Sequence, residues 1–432
     1  MFSAGVLDAG LSALGSFAVG VYASRTFDAN LLGGYALLFT LVFFVALVPA
    51  QLLFAPWEVC AVTLCTEERL GLFPHTLSVG GVCALLAALP ILAWPAMVGG
   101  AVHAQAAMPL TYTAMLCAIV SPLQDHARRM MHIAERSWTA ALLSAVHLTI
   151  VLSVLLLLQD FGVAAWWVPF GALASGNAFS LALAVVLASR SGSPVARGAL
   201  PSLPVVLRSG RALLLVGGLP AAAELLIGAL VLRIAGASTV GYAEAARVAA
   251  QPVRVLAQGL AAVTTPRSMA AASMGNAVEA RSHSRQFISV IALGSAAYLV
   301  AAGHSEPWNP LSWMLANAYT IHGLVAATVI ANFAVALSFP YHAEMLAAGR
   351  QQKRLWIEAS SNLCRLAVVF ATAALGAFTL PISLFVLGIV RSVWCARAVT
   401  TQYDAATEPL IVVDVSSPPA FVDQRRNFPA RS

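Results

Sequence analysis

Along this chain polar residues do not alternate with apolar ones; they gather in short stretches between long apolar blocks. A helix needs about 20 mostly apolar residues to cross about 30 Å of hydrocarbon. Measured against that length, the pattern predicts about twelve spans. They are Leu7–Ala23, Gly34–Phe54, Leu77–Val98, Leu110–Leu123, Thr139–Leu158, Val163–Ala188, Leu213–Ile234, Tyr242–Pro266, Phe287–Ala302, Ala318–Phe339, Leu363–Phe378 and Pro381–Val399. The fourth and ninth are short, and each is expected to run on as a polar helical turn beyond the apolar core.

One block breaks the pattern. In "AEAARVAAQPVRVLAQGL", residues 243–260, Glu244, Arg247, Gln251, Arg254 and Gln258 follow at steps of three, four, three and four. On an α-helix that spacing puts all five on one face. A charged side chain at mid-bilayer costs about 2.5–3.5 kcal/mol even on the insertion scale, so this face must look into the protein. Pro252, inside the same block, is expected to kink the helix.

The basic residues set the expected orientation. Alternate loops hold Arg69; Arg128, Arg129 and Arg136; Arg190, Arg197, Arg208 and Arg211; Arg267, Arg281 and Arg285; and Arg350, Lys353 and Arg354. The loops between them hold only Arg25 and Arg233, both at helix ends. The positive-inside rule makes the first set cytoplasmic. Both termini then face the cytoplasm, which demands an even number of spans. The outer loops, the longest around His103 and around Glu306, are too short for a folded external domain. From about Asp404 to Ser432 the chain is polar, with Pro409, Pro418 and Pro419 and no sustained period, and reads as a disordered cytoplasmic tail.

Composition agrees with a multi-pass protein of the cytoplasmic membrane. The 432 residues are 60% hydrophobic and 10% charged, where a soluble domain carries about 25% charged residues. The net charge of +6 is accounted for by the basic loops and calls for no nucleic acid. Cys60, Cys65, Cys83, Cys117, Cys364 and Cys395 fall singly in or near apolar blocks, a pattern of buried reduced thiols and not of a disulfide framework. The N-terminus has neither a basic start nor a small-residue cleavage site, so its first block is expected to be a retained span.

The stretches "GYALLFTLVFFVALVPAQ" from Gly34 and "GYAEAARVAAQPVRVLAQ" from Gly241 align without gaps, matching Gly34-Tyr35-Ala36 to Gly241-Tyr242-Ala243 and Ala50-Gln51 to Ala257-Gln258. Six spans separate them, so the halves are expected to be parallel repeats related by an axis along the membrane normal. This divides the chain into a six-helix lobe at 1–188, a cytoplasmic linker at 189–210, a second six-helix lobe at 211–400 and the tail at 404–432.

Three segments carry a family resemblance: "ASRTFDANLLGGYALLFTL" (Ala23–Leu41), "LQDHARRMMHIAER" (Leu123–Arg136) and "ASTVGYAEAARVAAQPVRVLAQGLAAVTTPR" (Ala237–Arg267). Together they resemble the Wzx-like polysaccharide-transporter branch of the multidrug/oligosaccharidyl-lipid/polysaccharide (MOP) exporter superfamily. His126 stands where the family more usually has an aromatic. The resemblance implies an all-α, MATE/MOP-like fold that moves a polyprenyl-diphosphate-linked oligosaccharide across the cytoplasmic membrane by alternating access, for surface polysaccharide assembly. A polysaccharide polymerase and glycosyltransferases would be the implied partners.

The candidate residues each admit two readings. Arg247 and Arg254 either bind the diphosphate, since a guanidinium makes bidentate bonds to phosphate oxygens, or Arg247 only balances Glu244 while the rest of the stripe lines a wet interior. Gln251 and Gln258 would hydrogen-bond sugar hydroxyls. Arg25 is either a further ligand or an interfacial side chain that snorkels. Glu224, alone in the middle of its span, must be protonated, paired or wet; it either couples transport to protons or sodium, as Glu244 also could, or pairs statically with an arginine of helix eight. Asp125 with Arg128 and Arg129 reads as an inner gate or loop-anchoring ion pair. Asp8 reads as an interfacial or helix-starting residue, and Glu58 as a partner for a cytoplasmic arginine.

No phosphate-binding glycine loop, Ser-His-Asp set or metal-ligand cluster is present in the sequence, so no catalytic residue, metal or cofactor is expected. Two rivals remain. A cation-coupled multidrug exporter would want carboxylates and aromatics in its cavity, and a membrane glycosyltransferase or ligase would want a large outer domain.

Overall fold

The computed structural model describes residues 2–62, 64, 66–100, 102–190, 202–304, 308–347 and 350–405. Their long elements are helices: α1 (Phe2–Thr26), α2 (Ala29–Val62), α3 (Leu70–Val98), α4 (Ala104–Ile133), α5 (Ser137–Asp160) and α6 (Ala165–Ser189). Then come α7 (Leu203–Ala235), α8 in two pieces (Ala237–Ala249 and Gln251–Ser273), α9 (Ala277–Ala302), α10 (Leu324–Met345), α11 (Gln351–Thr372) and α12 (Thr379–Ala405). Ten stretches are long and apolar enough to cross a membrane, which makes this a multi-pass membrane protein. One of the ten holds both α11 and α12, which meet at a bend where Gly376 adopts φ 60. The polar stripe keeps α8 outside the ten, although its two pieces together match its neighbours in length.

Several helices outrun their apolar blocks because side chains close their ends. Asp28 caps α2, accepting from the Leu31 amide at 2.8 Å. Asn276 caps α9, accepting from the Glu279 amide, so that the helix starts at Ala277, ten residues before the expected Phe287. Both short blocks extend as polar helix, α9 back to Ala277 under its Asn276 cap and α4 on to Ile133 without a side-chain cap. The expected linker is shorter than 189–210, since Leu203 already opens α7; 191–201, the tail beyond 405, Cys65 and Glu306 lie outside the described residues.

The helices of the first half pack chiefly on one another, α1 on α5 and α4 and α5 on α6. In the second half α10 and α11 pack on α12, and the later piece of α8 packs on α9 and α10. Contact between the halves runs mainly through α2, which meets both α7 and α8, with α1 touching α8 more lightly.

Two close approaches define that seam. A Cβ on Gly33 of α2 would collide with the carbonyl of Ala237, and a Cβ on Gly241 of α8 with the carbonyl of Ala29. The crossing is reciprocal, and it pairs Gly241 with Gly33, one residue before the Gly34 of the sequence alignment. Beside it lie the buried Phe27, Tyr35 and Phe170, whose ring centroids are 5.7 Å and 5.1 Å from Tyr35. Toward the arginine-rich end, Pro49 is followed by a π-helical turn, Ala50–Phe54. This widened turn lays the Leu52 backbone against Gly210 of α7, where any side chain would clash.

Candidate functional site

The stripe on α8 is a gradient of exposure. Glu244 is buried and accepts both Nε and Nη2 of Arg247 at 2.6 Å. The Arg247 guanidinium also lies over the Phe39 ring of α2, 5.9 Å from its centroid. Gln251 is half-buried, with its Oε1 buried and unbonded among the described residues. Arg254 and Gln258 are exposed. The helix breaks at Ala250, two residues before Pro252, because a proline has no amide to donate and its ring crowds the carbonyl four residues back.

Glu224 lies on α7, and its partner corrects the expectation of an arginine on helix eight. Arg365 of α11 supplies Nη1 and Nη2 to the two carboxylate oxygens. The exposures are unequal: 47% of the Glu224 side chain is open to solvent, but only 3% of Arg365. Arg247 and Arg254 also lie within electrostatic range of Glu224. Charged groups from α7, α8 and α11 thus lie within reach of one another's fields between the helices.

Charge matching inside this space is incomplete. Glu244 has Arg247 and Glu224 has Arg365, whereas Arg254 makes no hydrogen bond or ion pair among the described residues. Such a group suits an anion that arrives from outside. Arg25 stands apart at the end of α1, donating Nη1 to the Trp313 carbonyl at 2.6 Å.

A second polar network occupies the arginine-rich end of the first half. Asp125 takes Arg128 at 2.6 Å and Arg129 at 2.7 Å. Asp8, far from being a surface residue, is buried and joins α1 to Arg128, His132 and Ser144 of α4 and α5. Glu58 meets Arg129 at 3.6 Å and His126 at 2.9 Å. His126 stacks on Phe54 at 4.2 Å with 10° between the planes, and its other nitrogen hydrogen-bonds Thr76. The imidazole therefore does what an aromatic ring does at that place, and adds two polar bonds.

In the second half, Arg391 of α12 pairs with the buried Glu358 of α11 at 3.1 Å, with His342 of α10 at 3.4 Å from the same carboxylate. Neither Arg391 nor Arg365 can be assigned its carboxylate from the sequence. Both arginines sit within apolar blocks, as does Glu224, so the signal was present as isolated charges in need of partners. Among the described residues no cluster of three His, Cys, Asp or Glu side chains could hold a metal ion.

No protein-family model matches the sequence, and a search of curated proteins finds no match. Solved structures do match. An inward-facing multidrug resistance MATE family transporter of the MOP superfamily is 16% identical, with 92% of this chain and 96% of that one covered, at a TM-score of 0.72. An outward-facing transporter of the same family is 14% identical over 94% and 95% of the chains, at 0.65. A MOP superfamily transporter from Pyrococcus furiosus, whose pocket is described as of reversed polarity suggesting a different function, is 14% identical over 94% and 95%, at 0.62. The chain thus has the fold of the MATE transporters of the MOP superfamily.

Proposed function

We propose that this chain is an exporter of an anionic lipid-linked saccharide, a flippase that carries a diphosphate headgroup between two six-helix halves by alternating access. The observation that carries the reading is Arg254, a guanidinium with no hydrogen-bond or ion-pair partner among the described residues, beside two carboxylates that each already have an arginine. Its planar fork suits a phosphate, and Gln258, one turn further along the same exposed face, suits sugar hydroxyls. The arginine-rich end is cytoplasmic by the positive-inside rule, and the Gly33–Gly241 crossing is the closed outer gate. The lipid tail stays in the bilayer while the headgroup passes. The driving force is the substrate gradient, the membrane potential or a coupled ion.

The rival reading, a cation-coupled drug exporter, draws support from two structural neighbours that are multidrug resistance transporters. It needs a carboxylate free to hold a cation, but both carboxylates of this space are engaged. The neighbour with a pocket of reversed polarity is the more apt parallel.

Arg254→Ala tests the proposal in cells, with folded protein in the membrane verified. Surface polysaccharide is expected to fall while lipid-linked oligosaccharide accumulates on the inner leaflet. Undiminished export would overturn it.

A further inference from the structure

Glu224 differs from the other carboxylate of the central space in a way that pairing alone does not explain. Glu244 is buried with its arginine beside it on the same helix, only 7% of its side chain exposed. Glu224 comes from another helix than its arginine and is half open to water, while the Arg365 guanidinium beneath it is almost fully covered. The carboxylate is thus the lid on a buried cation. Beyond its pair with Arg365 it lies within electrostatic range of Arg254 and Arg247.

Resting on the reading of an anionic substrate, we propose that Glu224 is an internal stand-in for the substrate's phosphate, and that Arg365 is a substrate ligand exposed only when an incoming diphosphate displaces that carboxylate. A buried guanidinium left without a partner is costly, so Glu224 does not leave an empty site; it leaves as the phosphate arrives. Once released it has room to move, because half of its side chain is not covered by protein. The phosphate then sits between Arg365 of α11 and Arg254 of α8. Nothing covalent changes in the exchange: one anion replaces another on the same guanidinium. Its structural effect is to break the link between α7 and α11 when the site is filled and to restore it when the site empties. Since α7 meets α2 across the seam between the halves, loading the site acts on one of the helices that must move. A neutral sugar gains nothing from this site, because it cannot replace the charge that Glu224 withdraws.

The test is binding of farnesyl diphosphate to the purified full-length protein in lipid nanodiscs. Glu224→Gln keeps the shape and a hydrogen-bond acceptor but removes the competing charge, and it is expected to bind at least tenfold more tightly than the unaltered protein. Arg254→Ala is expected to bind at least tenfold more weakly. Glu224→Gln combined with Arg365→Gln should lose the gain. If Glu224→Gln does not fold, Glu224→Asp, one methylene shorter, is expected to tighten binding in the same direction. Binding by the unaltered protein that needs Arg254, with no tightening in either Glu224 variant, overturns the exchange and leaves the anionic substrate standing. Absence of binding in all forms overturns both.

Discussion

Arg247 and Arg254 share one face of α8, yet their surroundings give them opposite expected costs when removed. Arg247→Ala deletes both partners of the Glu244 carboxylate, which is 7% exposed. Breaking a buried pair by removing one member costs about 3–5 kcal/mol, because the survivor keeps its charge and loses its compensation. Arg247 itself is 35% exposed, so water reaches the vacated space and the expected loss lies at the lower end, about 3 kcal/mol. Arg254→Ala strands nothing and is expected to stay within about 0.5 kcal/mol. Glu244→Gln added to Arg247→Ala should restore about 2 kcal/mol, since a neutral amide in that pocket no longer needs a cation. The assay is reversible unfolding of the protein in lipid or detergent, with the unaltered protein, Arg247→Ala, Glu244→Gln and their combination forming a double-mutant cycle and Arg254→Ala measured beside it. The reasoning is refuted by an Arg254→Ala loss equal to that of Arg247→Ala, or by a coupling below about 0.5 kcal/mol between residues 244 and 247.

Two further outcomes follow from the packing. Gly241→Val drives a side chain into the Ala29 carbonyl, which is expected to cost about 1–3 kcal/mol and to raise labelling of the arginine-poor end by an impermeant maleimide; unchanged labelling would mean that the crossing is not a seal. His126→Phe keeps the stack on Phe54 but loses the bonds to Glu58 and Thr76, for about 1–3 kcal/mol, whereas His126→Ala also loses the ring, for about 3–5 kcal/mol; equal losses in thermal unfolding would show the stack to be worthless.

Much of the fold was legible as block length. Among the described residues each of the twelve expected stretches falls on helix, because hydrocarbon thickness dictates how long an apolar helix must be; the ends moved, at α2 and α9 because Asp28 and Asn276 close helices with polar side chains that hydropathy reads as loop. The linker was overestimated for the same reason, since Arg208 and Gly210 look like loop residues but lie in the first turns of α7. The stripe of α8 was legible from spacing alone. Which carboxylate meets which arginine was not: Glu224 and Arg365 are 141 positions apart, and no local period encodes a contact between distant helices. The break at Ala250 was half legible, because Pro252 announces a kink while its position depends on which amide the carbonyls upstream can still find.

The Gly33–Gly241 crossing is unchanged when its two helices are exchanged, because Gly33 meets Ala237 as Gly241 meets Ala29, and both equivalences span 208 positions. A joint of that kind has no preferred direction of its own. If each half takes the other's role when the protein turns over, the joint contributes equally to both arrangements and drops out of the difference between them. What then decides where an empty protein rests is the set of places at which the halves are unlike, such as the widened turn after Pro49 and the break at Ala250. Since about 1.4 kcal/mol shifts an equilibrium tenfold, a handful of substitutions at unlike positions would suffice to reverse the resting orientation without touching the charged space.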